Sequence, residues 1–290
     1  MITAEQRERR RKHVGASDVA ALFGLDPFKN AADVYWSKMG VDAPVNEAMM
    51  QGNFLEGGVL DWAAEQLDGE IHRDVEFGKD ERVLSCNLDG LMTDGGRVVV
   101  EAKTSGIGNP YFDPEQYGWG DDWSDYVPDH IVLQVQTQMS VADCGSAYVA
   151  ALLGGHGFHI YQIERADNII EAITEKVDKF WIDHVLAESP PLVMPSPETM
   201  KAFKREKGSE IELPTSLVEE LQAARATAKE AEARLDEAKE QILWAMGDAE
   251  TGLNELGKTT FKVVNKKAYT VKASANRQLR HYAKKGTKDG

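Results

Sequence analysis

Two hydrophobic periods divide this chain. Helical spacing runs through VGASDVAALFG (14–24), where Ser17 stands to cap the first turn, through AADVYWSKMG, closed by Gly40, and through NFLEGGVLDWAAEQL (53–67). Residues 70–77, 82–89 and 97–103 instead alternate or run apolar between Asp-Gly turn signals, which predicts a β-meander. An aromatic and acidic loop follows over 104–127. Then PDHIVLQVQTQMSVAD returns to the helical period, with Ile131, Val135 and Met139 on one side. GSAYVAALLGG and GFHIYQIER read as two strands around a glycine-rich turn, and 166–188 as an amphipathic helix through Ile169, Ile173, Val177, Phe180 and Trp181. Helices, sheet, helix, hairpin and helix in that order predict a mixed α/β or α+β core over residues 1–188.

The remainder has another character. Five prolines in 189–214 mark a linker. Over 215–247 a helix is expected, opened by a capping box of Ser216 and Glu219. Leu217, Leu221, Ala224, Ala228, Ala231, Leu235, Ala238, Ile242 and Ala245 recur there at spacings of four and three, a heptad seam. Its alanines require a closely approaching partner, either within the chain or in another chain. Residues 248–290 form a basic end, with a hairpin expected over TTFKVVNKKAYTVK (259–272).

Residues 97–106, RVVVEAKTSG, run a buried strand directly into charge. An isolated charge on a strand covered on both faces costs several kcal/mol, about what pairing or a bound cation must return. Alternate strand residues share a face, so Glu101 and Lys103 point one way and Ala102 the other. Upstream, SCNLDG ends a strand at Asp89, and the hairpin between brings Asp89 and Glu101 toward the same strand ends. Two close carboxylates repel unless a divalent cation lies between them, and oxygen donors suit Mg²⁺ or Mn²⁺. Lys103 would then hold or deprotonate a water, or stabilise charge building on a phosphate. The set reads as a hydrolytic site for a phosphodiester. An exposed Glu and Lys on a solvated strand face is the other reading of the same residues.

Charge complicates a nucleic-acid partner before it supports one. The net charge of −15 over 290 residues repels a polyanion. From Gly257 onward, however, there are ten Lys or Arg against one Asp, which leaves the first 256 residues at −24. A second basic cluster is RERRRK (7–12). These ends either contact phosphates or are solvated tails. The loop over 104–130 has six acids and no Lys or Arg and should stay off DNA, shielding an outer surface, serving a subunit contact, or lying as a plain solvated loop with Trp119 and Trp123 on the core. Cys86 and Cys144 are too few for a disulfide framework or a cysteine-rich metal site, and the first residues are charged without an apolar stretch. No run approaches the roughly 18 apolar residues of a membrane span, so a cytoplasmic location is expected.

GASDVAALFGLDPF, GNFLEGG, LDGLM, VVVEAKTSG, VPDHIVLQVQTQM and AYVAALLGG, in this order, resemble the successive motifs of the YqaJ-like viral recombinase family, relatives of phage lambda exonuclease. The resemblance spans roughly residues 10–185. It implies a PD-(D/E)XK restriction-endonuclease-like core and Mg²⁺-dependent 5′ to 3′ digestion of one strand of linear double-stranded DNA. It also implies a ring of three subunits and a phage or prophage recombination system with a single-strand annealing protein. By resemblance, Asp89, Glu101 and the Ala102 carbonyl are metal ligands, Lys103 is the water-activating lysine, and Glu56 and Gln134 lie at the catalytic centre. Arg10, Ser17 and Asn87 match the region that holds the DNA 5′ phosphate. Gln136 lies two helical steps, about 200°, from Gln134, so one of the two should sit at the surface. The competing readings are a non-catalytic DNA-binding or assembly protein that keeps the fold, and a helicase- or CRISPR-associated nuclease of the same core.

Overall fold

The structure, a computed structural model, describes residues 8, 10–78 and 83–263. They fall into two units that divide after Lys204. The first is a mixed sheet with helices on both faces. Its strands are β1 (Val14–Gly15), β2 (His72–Phe77), β3 (Leu84–Met92), β4 (Val98–Ser105), β5 (Ser146–Leu153) and β6 (Gly157–Glu164). The order is β1-β3-β4-β5-β6, with β2 also paired to β3. The expected meander is present: β2, β3 and β4 are successive antiparallel neighbours, while β4 and β5 run parallel over eight register pairs from Val98↔Ser146 to Ser105↔Leu153.

The valine run of β4 is buried because the sheet is covered twice. Helix α3 (Glu47–Leu67) sets Val59, Leu60 and Ala63 against Val100 and Ala150. On the other face, α4 (Asp129–Ala142) sets Ile131, Val135 and Met139 against Val99 and Val149. A further layer joins α1 (Val19–Phe23), α2 (Ala31–Lys38) and α5 (Asp167–Phe180) through Val19, Val34, Ile173, Val177 and Phe180, with Leu133 of α4.

The first expected helix differs. Val14 and Gly15 pair in parallel with Leu84 and Ser85, a 3-10 turn covers Ala16–Asp18, and α1 begins only at Val19. Ser17 therefore caps nothing: the turn and α1 both lack a side-chain cap. Helix α3 starts at Glu47, six residues before its apolar pattern, because Asn46 accepts from the Met49 amide. The helix expected over 166–188 is regular only to Phe180 and widens to π turns over Trp181–Leu186. Trp119 is buried as one reading had it, but Trp123 is exposed.

The first part of the proline-rich stretch is bound to the first unit. Ser196 accepts from the Thr199 amide and Pro197 opens α6 (Pro197–Ala202). Ser196 N–H donates to Asp33 at 2.7 Å, and Phe203 meets Trp36 edge-on.

The second unit contains α7 (Thr215–Met246), 32 residues with none buried among those described. Pro214 precedes it and no side chain caps it, so the Ser216–Glu219 capping box does not form. A hairpin follows, β7 (Thr251–Asn254) with β8 (Gly257–Thr260), ahead of the span where one was expected. Residues 264–272 of that expected hairpin lie outside the described residues.

Candidate active site

Where β3 and β4 part company, the sheet turns polar. Their ladder pairs Met92↔Val98, Leu91↔Val99 and Gly90↔Val100. Gly90 permits this approach: a Cβ there would lie 2.4 Å from Ile71 and 3.2 Å from the Val100 side chain. One step further along the same register, Asp89 faces Glu101. The Asp89 carboxylate takes over from the backbone and accepts from the Ala102 N–H at 3.0 Å.

Glu101 is 2% exposed and is met by three donors. Lys103 Nζ lies 2.6 Å and Gln134 Nε2 2.5 Å from Oε1, and Gln138 Nε2 lies 2.6 Å from Oε2. Lys103 Nζ also donates to Gln134 Oε1 at 3.0 Å. Gln134 and Gln138 are four residues apart on α4, one turn, so they present both amides to the same carboxylate. Gln138 Oε1 is buried with no partner.

The electrostatics are unbalanced. Burial, then Glu101, push the Asp89 carboxyl well above the usual range, against the opposing pull of Lys103 and the Ala102 amide. Lys103 is raised: burial favours its neutral form, but Glu101, Asp89 and Glu56 together override that. It is a fixed cation at neutral pH. Glu56, on α3, reaches the cluster from the opposite face of β4, and its carboxyl is pushed up by burial, then Asp74 and Glu101. No hydrogen bond joins it to the cluster among the described residues. Burial, followed by Glu101, raises the Cys86 thiol to about 12, which removes it as a nucleophile.

A cavity of about 200 Å³ opens beside Asp89, lined by Arg10, Ser17 and Asn87 together with Gln134 and Gln138. The expected phosphate-binding residues and the carboxylate thus share one space. The rest of RERRRK lies partly outside the described residues. Gln136 is not at the surface. It is 2% exposed, donates to the Glu164 carbonyl at 2.7 Å and accepts from Ala166 N–H at 2.9 Å, tying α4 to the start of α5. The direction inferred for it was right, but a second layer of structure covers that side. Gln138 was missed, although its spacing from Gln134 is the helical repeat.

The same stretch of chain carries a family match: residues 6–145 fit the YqaJ-like viral recombinase domain. Just under half of the chain is thus similar to the YqaJ-like viral recombinase domain. The YqaJ-like match takes in every element from β1 to α4, and hence Asp89, Glu101, Lys103, Gln134 and Gln138, while β5, β6 and α5 lie beyond it. The YqaJ protein of Bacillus subtilis (strain 168) is 26% identical over 260 residues, 84% of this chain and 78% of that one. Among solved structures, the alkaline exonuclease LHK-Exo of Laribacter hongkongensis superposes with a TM-score of 0.49 at 19% identity, covering 64% of this chain and 94% of its own. A phage-related exonuclease from Haemophilus somnus 129PT gives 0.47 at 14% identity, covering 61% and 96%.

Among the described residues no group of three or more His, Cys, Asp and Glu side chains is arranged to hold an ion. What is present is a pair, Asp89 and Glu101, with one lysine. Magnesium fits such a pair, since it is commonly held by one or two carboxylates and keeps several waters. The donors are all oxygen, and the raised Asp89 carboxyl marks the position where positive charge is short.

Proposed function

We propose that this protein is a divalent-metal-dependent deoxyribonuclease of a phage-type recombination system, degrading one strand of linear double-stranded DNA from its 5′ end. The observation that carries the hydrolytic reading is the juxtaposition of Asp89 and Glu101 at the parting of β3 and β4, with Asp89 held above its ordinary range by burial and then by its neighbour. The YqaJ-like domain supports DNA as substrate. The polarity, a three-subunit ring and an annealing partner rest on the resemblance to lambda exonuclease relatives.

Asp89, Glu101 and the Ala102 carbonyl would hold Mg²⁺ or Mn²⁺, which supplies Lewis-acid polarisation of a phosphoryl oxygen and lowers the pKa of a bound water. The chain supplies the rest. Lys103 Nζ has three protons and gives two to Glu101 and Gln134, so the third is available to a water or to a phosphate oxygen. As a fixed cation it stabilises charge rather than accepting a proton. Gln134 and Gln138 restrict Glu101 to one orientation. Arg10, Ser17 and Asn87 would hold the DNA phosphate in the adjoining cavity.

The test uses purified full-length protein and a 5′-phosphorylated linear duplex labelled separately at each end. With Mg²⁺ the 5′ label is released first, and chelator stops the loss. Lys103→Ala abolishes degradation while metal binding survives. A duplex retained on a gel yet left intact would favour the non-catalytic DNA-binding reading.

A further inference from the structure

Among the described residues, the longest helix, α7, has none that is buried. Leu217, Leu235 and Ile242 of α7 are exposed and Leu221 is only half-buried, although they form one seam with Ala224, Ala228, Ala231 and Ala238. At 32 residues α7 is about 48 Å long. A seam of that length facing water is unfavourable unless another helix covers it, and the flanking charges state which one.

In heptad terms Leu221, Ala228, Leu235 and Ile242 occupy the a positions, and Leu217, Ala224, Ala231 and Ala238 the d positions. A parallel pair of identical helices stacks each residue on itself, so alanine meets alanine at 224, 231 and 238 of the d series and again at 228 of the a series. It also sets Arg234 against Lys239 of the mate, a like-charge contact. An antiparallel pair instead sets a against d. In the register that opposes Ala228 to Ala231, Leu221 meets Ala238, Leu235 meets Ala224, and Leu217 meets Ile242, so large side chains fill the space that small ones leave. The flanking e positions then bring Arg225 to Glu232, twice by symmetry, and no like charges face each other. Sliding by one heptad in one direction preserves the alternation of sizes but sets Glu232 on Glu232 and Arg225 on Lys239. Sliding the other way sets Arg225 on itself. Size thus favours the antiparallel direction, and charge then selects one register within it.

We infer that α7 pairs antiparallel with α7 of a second copy of this chain, in the register that opposes Ala228 to Ala231. The contact is isologous, so both copies use the same surface and the assembly closes at two through this helix. It is separate from any ring formed by the first unit.

Oxidative cross-linking of the full-length chain reads direction and register. Residues 221 and 238 are about 25 Å apart along one helix, beyond disulfide reach within a chain. The double variant Leu221→Cys with Ala238→Cys is expected to give at least tenfold more cross-linked dimer than either single variant. Cys86 and Cys144 are buried, and the unsubstituted chain gives their background. Cross-linking of Leu221→Cys alone would establish the parallel arrangement and overturn the proposal, as would no cross-link in any of the three. Sedimentation reads the charges: Arg225→Glu should weaken the dimer about tenfold, and adding Glu232→Arg should restore it. A chain that sediments as a monomer throughout the micromolar range, or a charge reversal without rescue, contradicts it.

Discussion

Two buried clusters of acid and lysine lie in the first unit, and they are built with opposite balance. Asp18 is held by Lys29 at 2.7 Å and Lys38 at 2.8 Å, with the Lys38 side chain 1% exposed. Burial pushes Asp18 upward, but the two lysines override it and hold the carboxyl well below its ordinary range. At the parting of β3 and β4 the count is reversed: two carboxylates share one lysine, and burial and repulsion together raise Asp89. The first cluster is complete as it stands and fixes the turn that carries Ser17 into the cavity. The second has one lysine for two carboxylates. A fold that balances one buried carboxylate so thoroughly and leaves another under strain marks the second as the place where a ligand belongs.

Substitutions that remove the imbalance should separate function from stability. Asp89→Asn and Glu101→Gln are each expected to reduce nucleotide release by about a thousandfold or more, the several kcal/mol that a positioned metal supplies. Thermal unfolding without divalent ions should be unchanged or shifted upward for Asp89→Asn, since a repulsion is relieved. A large fall in stability would mean that the two clusters are alike.

Asp18→Asn tests the other side. It leaves Lys38 buried without its counter-charge and should cost about 3–5 kcal/mol in chemical denaturation. The sign with pH follows from the lowered carboxyl. A group depressed in the folded state contributes stability that is full above its unfolded value, about 3.9, and is lost as pH falls below it. The native chain should therefore lose stability on acidification below about pH 4, and Asp18→Asn should lose less.

Gln138→Ala gives the smallest effect and sharpens the picture of Glu101. It frees Oε2 without removing charge, so activity should fall about 10- to 100-fold while the fold persists. A loss equal to that of Glu101→Gln would assign Gln138 more than positioning.

Much of this was legible from residue pattern because the relevant periods are local. The meander, the hairpin of β5 and β6 and the apolar side of α4 follow from alternation, turn signals and the i, i+4 repeat, and Glu101 and Lys103 share a face simply by being two residues apart on a strand. Direction of facing was legible too, but depth was not: Gln136 points away from Gln134 as its angle requires, yet whether that side meets water or α5 depends on a helix starting 30 residues later. The two residues of β1 are a strand only because they pair with Leu84 and Ser85, far along the chain. The lysines around Asp18 come from α2 and the loop before it, so nothing local announces them. Ser196 and Pro197 are an ordinary helix-start signal, concealed by the prolines around them.

The most direct test of the central claim is anomalous scattering from crystals of the full chain soaked in Mn²⁺. The account predicts a peak bonded to the Asp89 and Glu101 carboxylates, absent from Asp89→Asn crystals treated alike. Manganese bound elsewhere with this pair left bare, in protein whose nuclease activity persists under chelator, would contradict it.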